Sequence, residues 1–204
     1  MEKPAETQYL IHELLCRRWS PRAFAERPVE ADKLRSLFEA ARWASSCFNA
    51  QPWRFLLATK ETPVEYSRLF DCLVEGNKKW AHRAPVLVLS VAKLTFEDGS
   101  ANRHAWHDVG LAVETLVIQS TAMDLIVNQM AGFDTVRART DLGIPDGYDP
   151  VAMIGIGYAG EPATLPESLR QKEVASRKRK PLAESVFTVN WGTPSMLMKP
   201  EFPS

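Results

Sequence analysis

The stretch Pro85-Val-Leu-Val-Leu-Ser-Val91 is an apolar run interrupted by a single serine. A run without polar alternation predicts a strand that is buried on both faces. A second run of the same character, Pro150-Val-Ala-Met-Ile-Gly-Ile-Gly157, predicts another buried strand. Segments with helical and strand patterns alternate around these two runs, which predicts an α/β or α+β domain.

The elements on either side follow from local patterns. Helices are predicted over residues 6–19 and 32–43, from Thr62 onwards, and over 104–123 and 135–142, and a further strand over Trp53–Thr59. Thr62-Pro63-Val64-Glu65 has the form of a capping box, and Gly143 is the usual residue after a helix end. The segment 104–123 is apolar over much of its circumference, which is typical of a helix in a core or at a subunit interface.

Composition limits the class of protein. The chain has 204 residues with 25 basic and 25 acidic side chains, whereas nucleic-acid binders usually carry a basic excess. Cys16, Cys47 and Cys72 form no CxxC motif, which is typical of a reduced cytoplasmic protein. No secretory signal opens the chain, and the longest apolar stretch, 84–92, is about half of the ~20 residues that span a membrane. We therefore expect a cytoplasmic protein without nucleic-acid or membrane partners.

The length predicts one domain over residues 1–204. After Gly160 the sequence becomes polar and rich in proline, and the tail at about 181–204 shows little periodicity. That tail nevertheless contains several large apolar side chains: Phe187, Trp191, Met196, Leu197, Met198 and Phe202. We expect it to pack on the core or on a partner subunit.

Two local motifs resemble a dinucleotide-binding loop and a metal site. Gly155-Ile-Gly-Tyr-Ala-Gly160 satisfies the GxGxxG dinucleotide fingerprint, but Glu161-Pro162 follows where a helix should begin, so these glycines are interpreted as a strand end. His104 and His107 are spaced to bind a metal from one helix face. No third ligand is evident nearby, so a structural or solvent-facing role is favoured for both.

Two polar clusters remain open to interpretation. The run Arg177-Lys-Arg-Lys180 is either a solvated face or a clamp for phosphate, together with the basic residues around Ser20 at 17–22. The loop Ala44-Ser-Ser-Cys-Phe-Asn-Ala-Gln-Pro-Trp53 is either an ordinary polar turn or a set of donors and acceptors for a heterocycle or a polyol.

Several separated segments, taken in order, resemble the flavin-dependent nitroreductase family. They are Arg18-Trp-Ser-Pro-Arg-Ala-Phe24, Ser45-Ser-Cys-Phe-Asn-Ala-Gln-Pro-Trp53, Gln129-Met-Ala-Gly-Phe-Asp134 and Arg179-Lys-Pro-Leu-Ala-Glu184. Each is loose alone, but their ordered combination is specific, and it favours the phosphate clamp. Members often have Gly where this chain has Asp124 and Ile126, and some have a basic residue where Trp80 stands.

The resemblance implies an α+β fold with a central mixed β-sheet flanked by helices, in an intertwined homodimer that binds FMN. It implies the following cofactor-binding residues: Arg18, Trp19, Ser20 and Arg22 in the first motif, Ser45, Ser46, Asn49 and Gln51 from the partner subunit, Asn77 at the ring edge, Ala131 and Gly132 by flavin N5, and Arg177 and Arg179 on the phosphate. Phe48, Phe133 and Trp80 are candidate walls of the acceptor slot, with core packing favoured for each.

The implied activity is that of an FMN-dependent NAD(P)H oxidoreductase. Two-electron ping-pong reduction of nitroaromatics, quinones or similar small-molecule acceptors needs no acid or base from the protein, because the flavin does the chemistry. No metal is expected. Alternatives are other FMN chemistry on the same fold, such as a dehalogenase or a flavin-cleaving enzyme, and a non-catalytic flavin-binding module.

Overall fold

The computed structural model describes residues 2–198. In chain order the helices and strands are α1 (Glu13–Arg17), α2 (Ala31–Arg42), β1 (Trp53–Thr59), α3 (Pro63–Asp71), α4 (Glu75–Ala81), β2 (Val86–Lys93), α5 (Ala105–Ala122), β3 (Ile126–Met130), α6 (Thr135–Leu142), β4 (Tyr148–Gly157) and α7 (Glu167–Val174). No helix in this described range is both long and apolar enough to cross a membrane.

The four strands form one sheet in the order β1-β2-β4-β3. Leu89 of β2 lies opposite Leu56 of β1 on one side and Met153 of β4 on the other. All three pairings within residues 2–198 are antiparallel. The α+β class is therefore confirmed, but the expected mixed sheet is antiparallel throughout this range, because no two neighbouring strands here run in the same direction.

Both faces of the sheet are covered, as the apolar run 85–91 predicts. Leu87 and Leu89 pack with Phe24, Trp80 and Met153 on one face, while the alternating residues of the same strand join the core under α2 and α5 on the other. Because successive side chains of a strand point to opposite faces, a strand between two cores is apolar at nearly every position. The exception within 85–91 is the buried Ser90, whose hydroxyl bonds the Ala152 backbone. The long apolar helix is also confirmed, as α5.

The first predicted helix is much shorter than expected. Only Glu13–Arg17 is helical, and His12 Nδ1 accepts a hydrogen bond from the Leu14 N–H at its start. Leu10 is fully exposed, and Ile11 and Leu15 are also exposed, so the apolar stripe has no core of its own chain to stabilise it. A short helix without tertiary packing is marginal in water.

Other predictions have mixed outcomes. Helix α3 begins at Pro63, but the Thr62 hydroxyl makes no cap and donates instead to the Thr59 carbonyl, at 3.1 Å. Gly143 ends α6 with a φ of 67°, as expected for a left-handed cap. Strand β3 was not anticipated. In the tail, Phe187 and Trp191 contact each other and Trp191 is exposed, while Phe202 lies outside the described residues.

Candidate active site

The segment Arg18–Arg22 follows α1 directly and contacts both α5 and β3. The Arg18 backbone N–H ends α1 by donating to Leu14 at 2.9 Å. Its guanidinium lies 4.0 Å from the Glu114 carboxylate of α5 and 3.4 Å from the Ser20 hydroxyl. The ion pair with Glu114 is long and the Ser20 hydroxyl is uncharged, so neither contact neutralises the Arg18 guanidinium closely.

Two buried polar side chains form hydrogen bonds to the backbone of this segment. Asn128 of β3 donates from its amide nitrogen to the carbonyls of Ser20 and Pro21, each at 3.0 Å. Glu173 of α7 accepts the backbone N–H groups of Arg22 at 2.8 Å and Ala23 at 3.1 Å on one carboxylate oxygen. The backbone of the first motif is therefore fixed by side chains that come from far along the chain.

The sequence interpretation missed both of these residues. Asn128 left a weak signal, because it is a polar residue inside the short apolar run Ile126–Met130. Glu173 left none, because its helix is polar nearly all round and the position resembles any solvated glutamate. Burial of 99% of its surface is a property of the folded chain alone.

Arg177, from the late basic run, lies close to the chain that leads into the Arg18–Arg22 segment. Arg177 donates to the carbonyls of Lys3 at 2.7 Å and Cys16 at 2.9 Å. Its pKa is lowered from the usual value, first by burial and then by the nearby charges of Arg18 and Arg179. Three guanidinium groups from both ends of the chain therefore share one neighbourhood, which favours an anion there.

Lys3 adds a further cation to this cluster. Burial lowers the pKa of Lys3, Glu173 raises it, and Arg177 and Arg22 lower it again. Its ammonium group donates to the backbone carbonyl of Glu173 at 2.7 Å and lies 4.5 Å from the ring centre of Trp19. The cluster thus contains Lys3 and several arginines, with Glu173 as a buried carboxylate beside them.

A cavity of about 210 Å³ opens beside this cluster, lined in part by Lys3, Arg18, Trp19, Val117 and Ile126. Ligand sites usually measure roughly 300–1,000 Å³, so this one holds part of a nucleotide-sized ligand rather than all of it. A second cavity, about 190 Å³, lies between residues 26–29 and 59–61 and is lined by none of the predicted site residues.

Asn77 and Gly132 meet at the end of β3. The Asn77 amide donates to the Gly132 carbonyl at 2.9 Å, and the Val74 N–H donates to the same oxygen at 3.2 Å. A Cβ at Gly132 would lie 2.8 Å from the Asn77 amide nitrogen and 2.9 Å from Val74. A side chain at residue 132 would therefore have to displace Asn77 or Val74. The Gly132 N–H has no acceptor among residues 2–198.

The loop Ser45–Gln51 is built separately. The Ser46 hydroxyl accepts the Gln51 N–H at 3.0 Å, and the Gln51 amide donates to Asn49 at 3.1 Å. The Cys47 N–H donates to the buried carboxylate of Asp108 at 2.9 Å. Phe48, Asn49 and Gln51 all have positive φ, at 50°, 56° and 46°.

This loop does not meet the cationic cluster within one chain. Asp108 lies six residues before Glu114 on α5, or about 9 Å along the helix axis, and on another face of it. No hydrogen bond or ion pair between residues 2 and 198 joins the loop to Arg18, Arg22, Arg177 or Arg179. The structure therefore groups the predicted residues into three separate sets.

The remaining candidates have simpler roles. Trp80 is 2% exposed and stacks on Phe24 with ring centres 6.2 Å apart, and Phe133 is also buried, so the favoured core packing is confirmed for both. Phe48 is 91% exposed, so core packing is wrong for it. His107 Nδ1 lies 3.1 Å from Asp108, and the described residues 2–198 hold no cluster of metal-ligand type.

Glycine packing explains the GxGxxG match. Gly157 ends β4, and a Cβ there would lie 2.6 Å from Pro85. Asp124, where family members often have Gly, takes a left-handed φ of 56° while pairing with Arg17 at 2.7 Å. The turn before β3 therefore keeps a glycine-like backbone, and Ile126 begins the strand.

Comparison with known proteins identifies the family and the fold. A model of the nitroreductase family matches residues 15–158. A solved structure described as an oxidoreductase containing FMN shares 33% identity, covers 91% of this chain and 95% of its own, and superposes with a TM-score of 0.86.

Two curated relatives extend the comparison. An uncharacterised 15.4 kDa protein of Mycolicibacterium smegmatis is 36% identical over 63% of this chain and 86% of its own. A Streptomyces coelicolor protein with the provisional name NADH dehydrogenase/NAD(P)H nitroreductase is 30% identical over 69% of this chain and 79% of its own. The chain belongs to the nitroreductase family and has the family's α+β fold.

Proposed function

We propose that the protein is a homodimeric, FMN-dependent NAD(P)H oxidoreductase that reduces nitroaromatics, quinones or similar electron-poor small molecules. The observation that carries this proposal is that Arg177, from the late part of the chain, donates to the Cys16 carbonyl at 2.9 Å beside Arg18, where the charges of Arg18 and Arg179 help to lower its pKa. Among residues 2–198, the one carboxylate paired with any of these three arginines is Glu114, 4.0 Å from Arg18. A phosphate is the anion that a set of arginines binds best.

The residues fit FMN at both ends of the molecule. Arg18, Ser20, Arg177 and Arg179 would hold the phosphate and the ribityl chain, with Trp19 lining the cavity beside them. Arg22 keeps 34% of its side chain exposed and would face the pyrimidine edge, where a cation stabilises negative charge.

The Ala131–Gly132 loop would face flavin N5. Gly132 presents a backbone N–H without an acceptor in the described chain, and the absence of a side chain leaves the approach open. Asn77 orients this peptide through its hydrogen bond to the Gly132 carbonyl and would stand at the ring edge. When bound here, FMN would supply the two-electron redox chemistry by which NAD(P)H and the acceptor react in ping-pong turnover.

A second subunit would complete the site. Ser45, Ser46, Asn49 and Gln51 lie in an exposed, strained loop whose polar groups do not reach the cluster of their own chain, and we propose that they reach the flavin of the partner. Exposed apolar residues along α5 and the N-terminal segment, including Leu10, Leu15 and Leu111, support such an interface.

The experiment begins with the visible spectrum and an FMN titration of the apoprotein. We expect a flavin absorption band and 1:1 binding per chain. Arg179→Ala should weaken FMN binding by about tenfold or more, since a hydrogen bond to a charged group contributes roughly 1.5–3 kcal/mol. Arg170→Ala is the matched control, because Arg170 is an exposed arginine of α7 that pairs with Glu167.

Steady-state assays with NADH and NADPH against a panel of acceptors then test the activity. A protein that takes up no FMN contradicts the proposal, and so does a bound flavin that neither nicotinamide reduces. The single-domain organisation over 1–204, the packing of the tail on the core or a partner, and the cytoplasmic location stay predictions.

A further inference from the structure

The carboxylate of Glu173 occupies an unusual position. It is 1% exposed, and its Oε1 accepts two backbone N–H groups, from Arg22 and Ala23. Its Oε2 has no hydrogen-bond partner among residues 2–198. Among the described residues, Oε2 forms one ion pair, with the Arg22 guanidinium 3.9 Å away. Burying a carboxylate is costly unless it is paired, so this arrangement needs a reason.

The position of Glu173 in the chain connects the early cationic segment with the late one. It stands in the last turn of α7, four residues before Arg177. Its carboxylate holds the backbone that carries Arg22, while its own carbonyl is held by Lys3 at 2.7 Å. One residue thus joins the segment with the early cations to the segment with the late ones.

The negative charge of Glu173 also acts on the Arg22 guanidinium. Arg22 is the cation that we assign to the pyrimidine edge of the flavin, and a negative charge within 4 Å offsets part of its field. An uncharged side chain of the same shape would leave the backbone contacts in place and the guanidinium field stronger. The geometric and the electrostatic parts of Glu173 are therefore separable by substitution.

We propose that Glu173 is a positioning residue for FMN: it fixes the Arg18–Arg22 segment through the Arg22 and Ala23 amides and moderates the charge that Arg22 presents to the flavin. The inference rests on the proposed function, in which Arg22 faces the pyrimidine edge. It predicts that geometry controls the affinity for FMN and that charge controls the reduction potential of the bound flavin.

The test compares Glu173→Gln with Glu173→Ala. Gln keeps an acceptor for the two amides, so the FMN dissociation constant should stay close to that of the parent, while the reduction potential becomes more positive. Ala removes the acceptor as well, and the dissociation constant should rise by about tenfold, the usual scale for losing a group that orients a binding residue. Glu167→Gln, an exposed glutamate of the same helix, is the matched control and should change neither quantity.

A third measurement does not depend on FMN. Hydrogen exchange at the Arg22 and Ala23 amides of the apoprotein should be slow in the parent and in Glu173→Gln, and fast in Glu173→Ala. If the parent binds no FMN but shows this pattern, the proposed function fails and the tether stands. If Glu173→Gln and Glu173→Ala only lower the melting temperature, with affinity and potential unchanged, Glu173 is merely structural and the inference is overturned.

Discussion

The Arg18–Arg22 segment and the Ser45–Gln51 loop are the two regions of the site that differ most in how they are held. Each is tethered by a buried carboxylate that accepts backbone N–H groups, Glu173 in the first and Asp108 in the second. The first region is also held by Asn128, and residues 23 and 25 continue it into backbone hydrogen bonds with Gly160 and Tyr158, just after β4. The second has positive φ at three non-glycine residues and an almost fully exposed phenylalanine.

The Arg18–Arg22 segment is a half-site that its own chain already holds in place. The Ser45–Gln51 loop is a half-site that its own chain holds only in part. Positive φ at residues other than glycine costs about 1–3 kcal/mol each and persists only where the surroundings impose it. Strain at an exposed loop with a single buried tether is typical of a segment whose contacts lie on another molecule. Under the proposed function, each chain carries a finished phosphate-binding region and offers its loop to the partner.

The largest expected effect on stability comes from disturbing the backbone packing directly after the Arg18–Arg22 segment. A Cβ at Gly160 would lie 2.5 Å from the carbonyl carbon of Phe24, and the Gly160 N–H donates to Ala23 at 2.8 Å. Because backbone rather than a flexible side chain is in the way, Gly160→Ala should lower the free energy of unfolding by about 3 kcal/mol. Urea unfolding measures this, and Gly110→Ala, where a Cβ meets nothing within 4 Å, is the control. Equal stability of the two variants would contradict the packing argument.

A smaller effect is expected from removing the Asp108 carboxylate, which holds the Ser45–Gln51 loop. Asp108→Ala leaves the Cys47 N–H without its acceptor and should cost about 1–3 kcal/mol of unfolding free energy. Asp108→Asn keeps an oxygen for that N–H and should lose less. Thermal and urea unfolding of both variants test the order.

The FMN titration of these variants sharpens the comparison. Asp108→Ala should weaken FMN binding while leaving hydrogen exchange at the Arg22 amide unchanged, because the two regions are built independently. His107→Ala, whose ring is 68% exposed, should change stability by about 0.5 kcal/mol or less. Faster exchange at Arg22 in Asp108→Ala would show that the regions are coupled within one chain.

The smallest effect is a difference in thiol reactivity. Cys47 lies half-buried in the loop, whereas Cys72 is buried and burial raises the pKa of its thiol. A raised pKa lowers the thiolate fraction at any pH below it, so Cys72 should react with iodoacetamide more slowly than Cys47 at pH 8. Mass spectrometry of the alkylated chain ranks the two, and FMN should slow Cys47 further. Faster labelling of Cys72 would contradict the assignment of the core.

Predictability differed sharply between elements. Strand β1 matches its predicted bounds, and α2, β2 and α5 match within two residues, because each has a long periodic or continuous apolar pattern. Helix 6–19 failed, since an amphipathic stripe predicts a helix only where a surface exists to bury it. The assignment of Arg18, Arg177 and Arg179 to one phosphate comes from family resemblance rather than from any local pattern, and it stays a prediction.

By itself, the sequence determined the buried strands and the long apolar helix, because burial on two faces leaves a pattern that no surface segment has. It also carried the residues by which the family is identified. Only the tertiary structure decided that Glu173, Asn128 and Asp108 would be buried behind the two site loops. The reason is physical: a polar side chain looks the same in a sequence whether water or a distant backbone group satisfies it, and only the folded chain brings that group within hydrogen-bond distance.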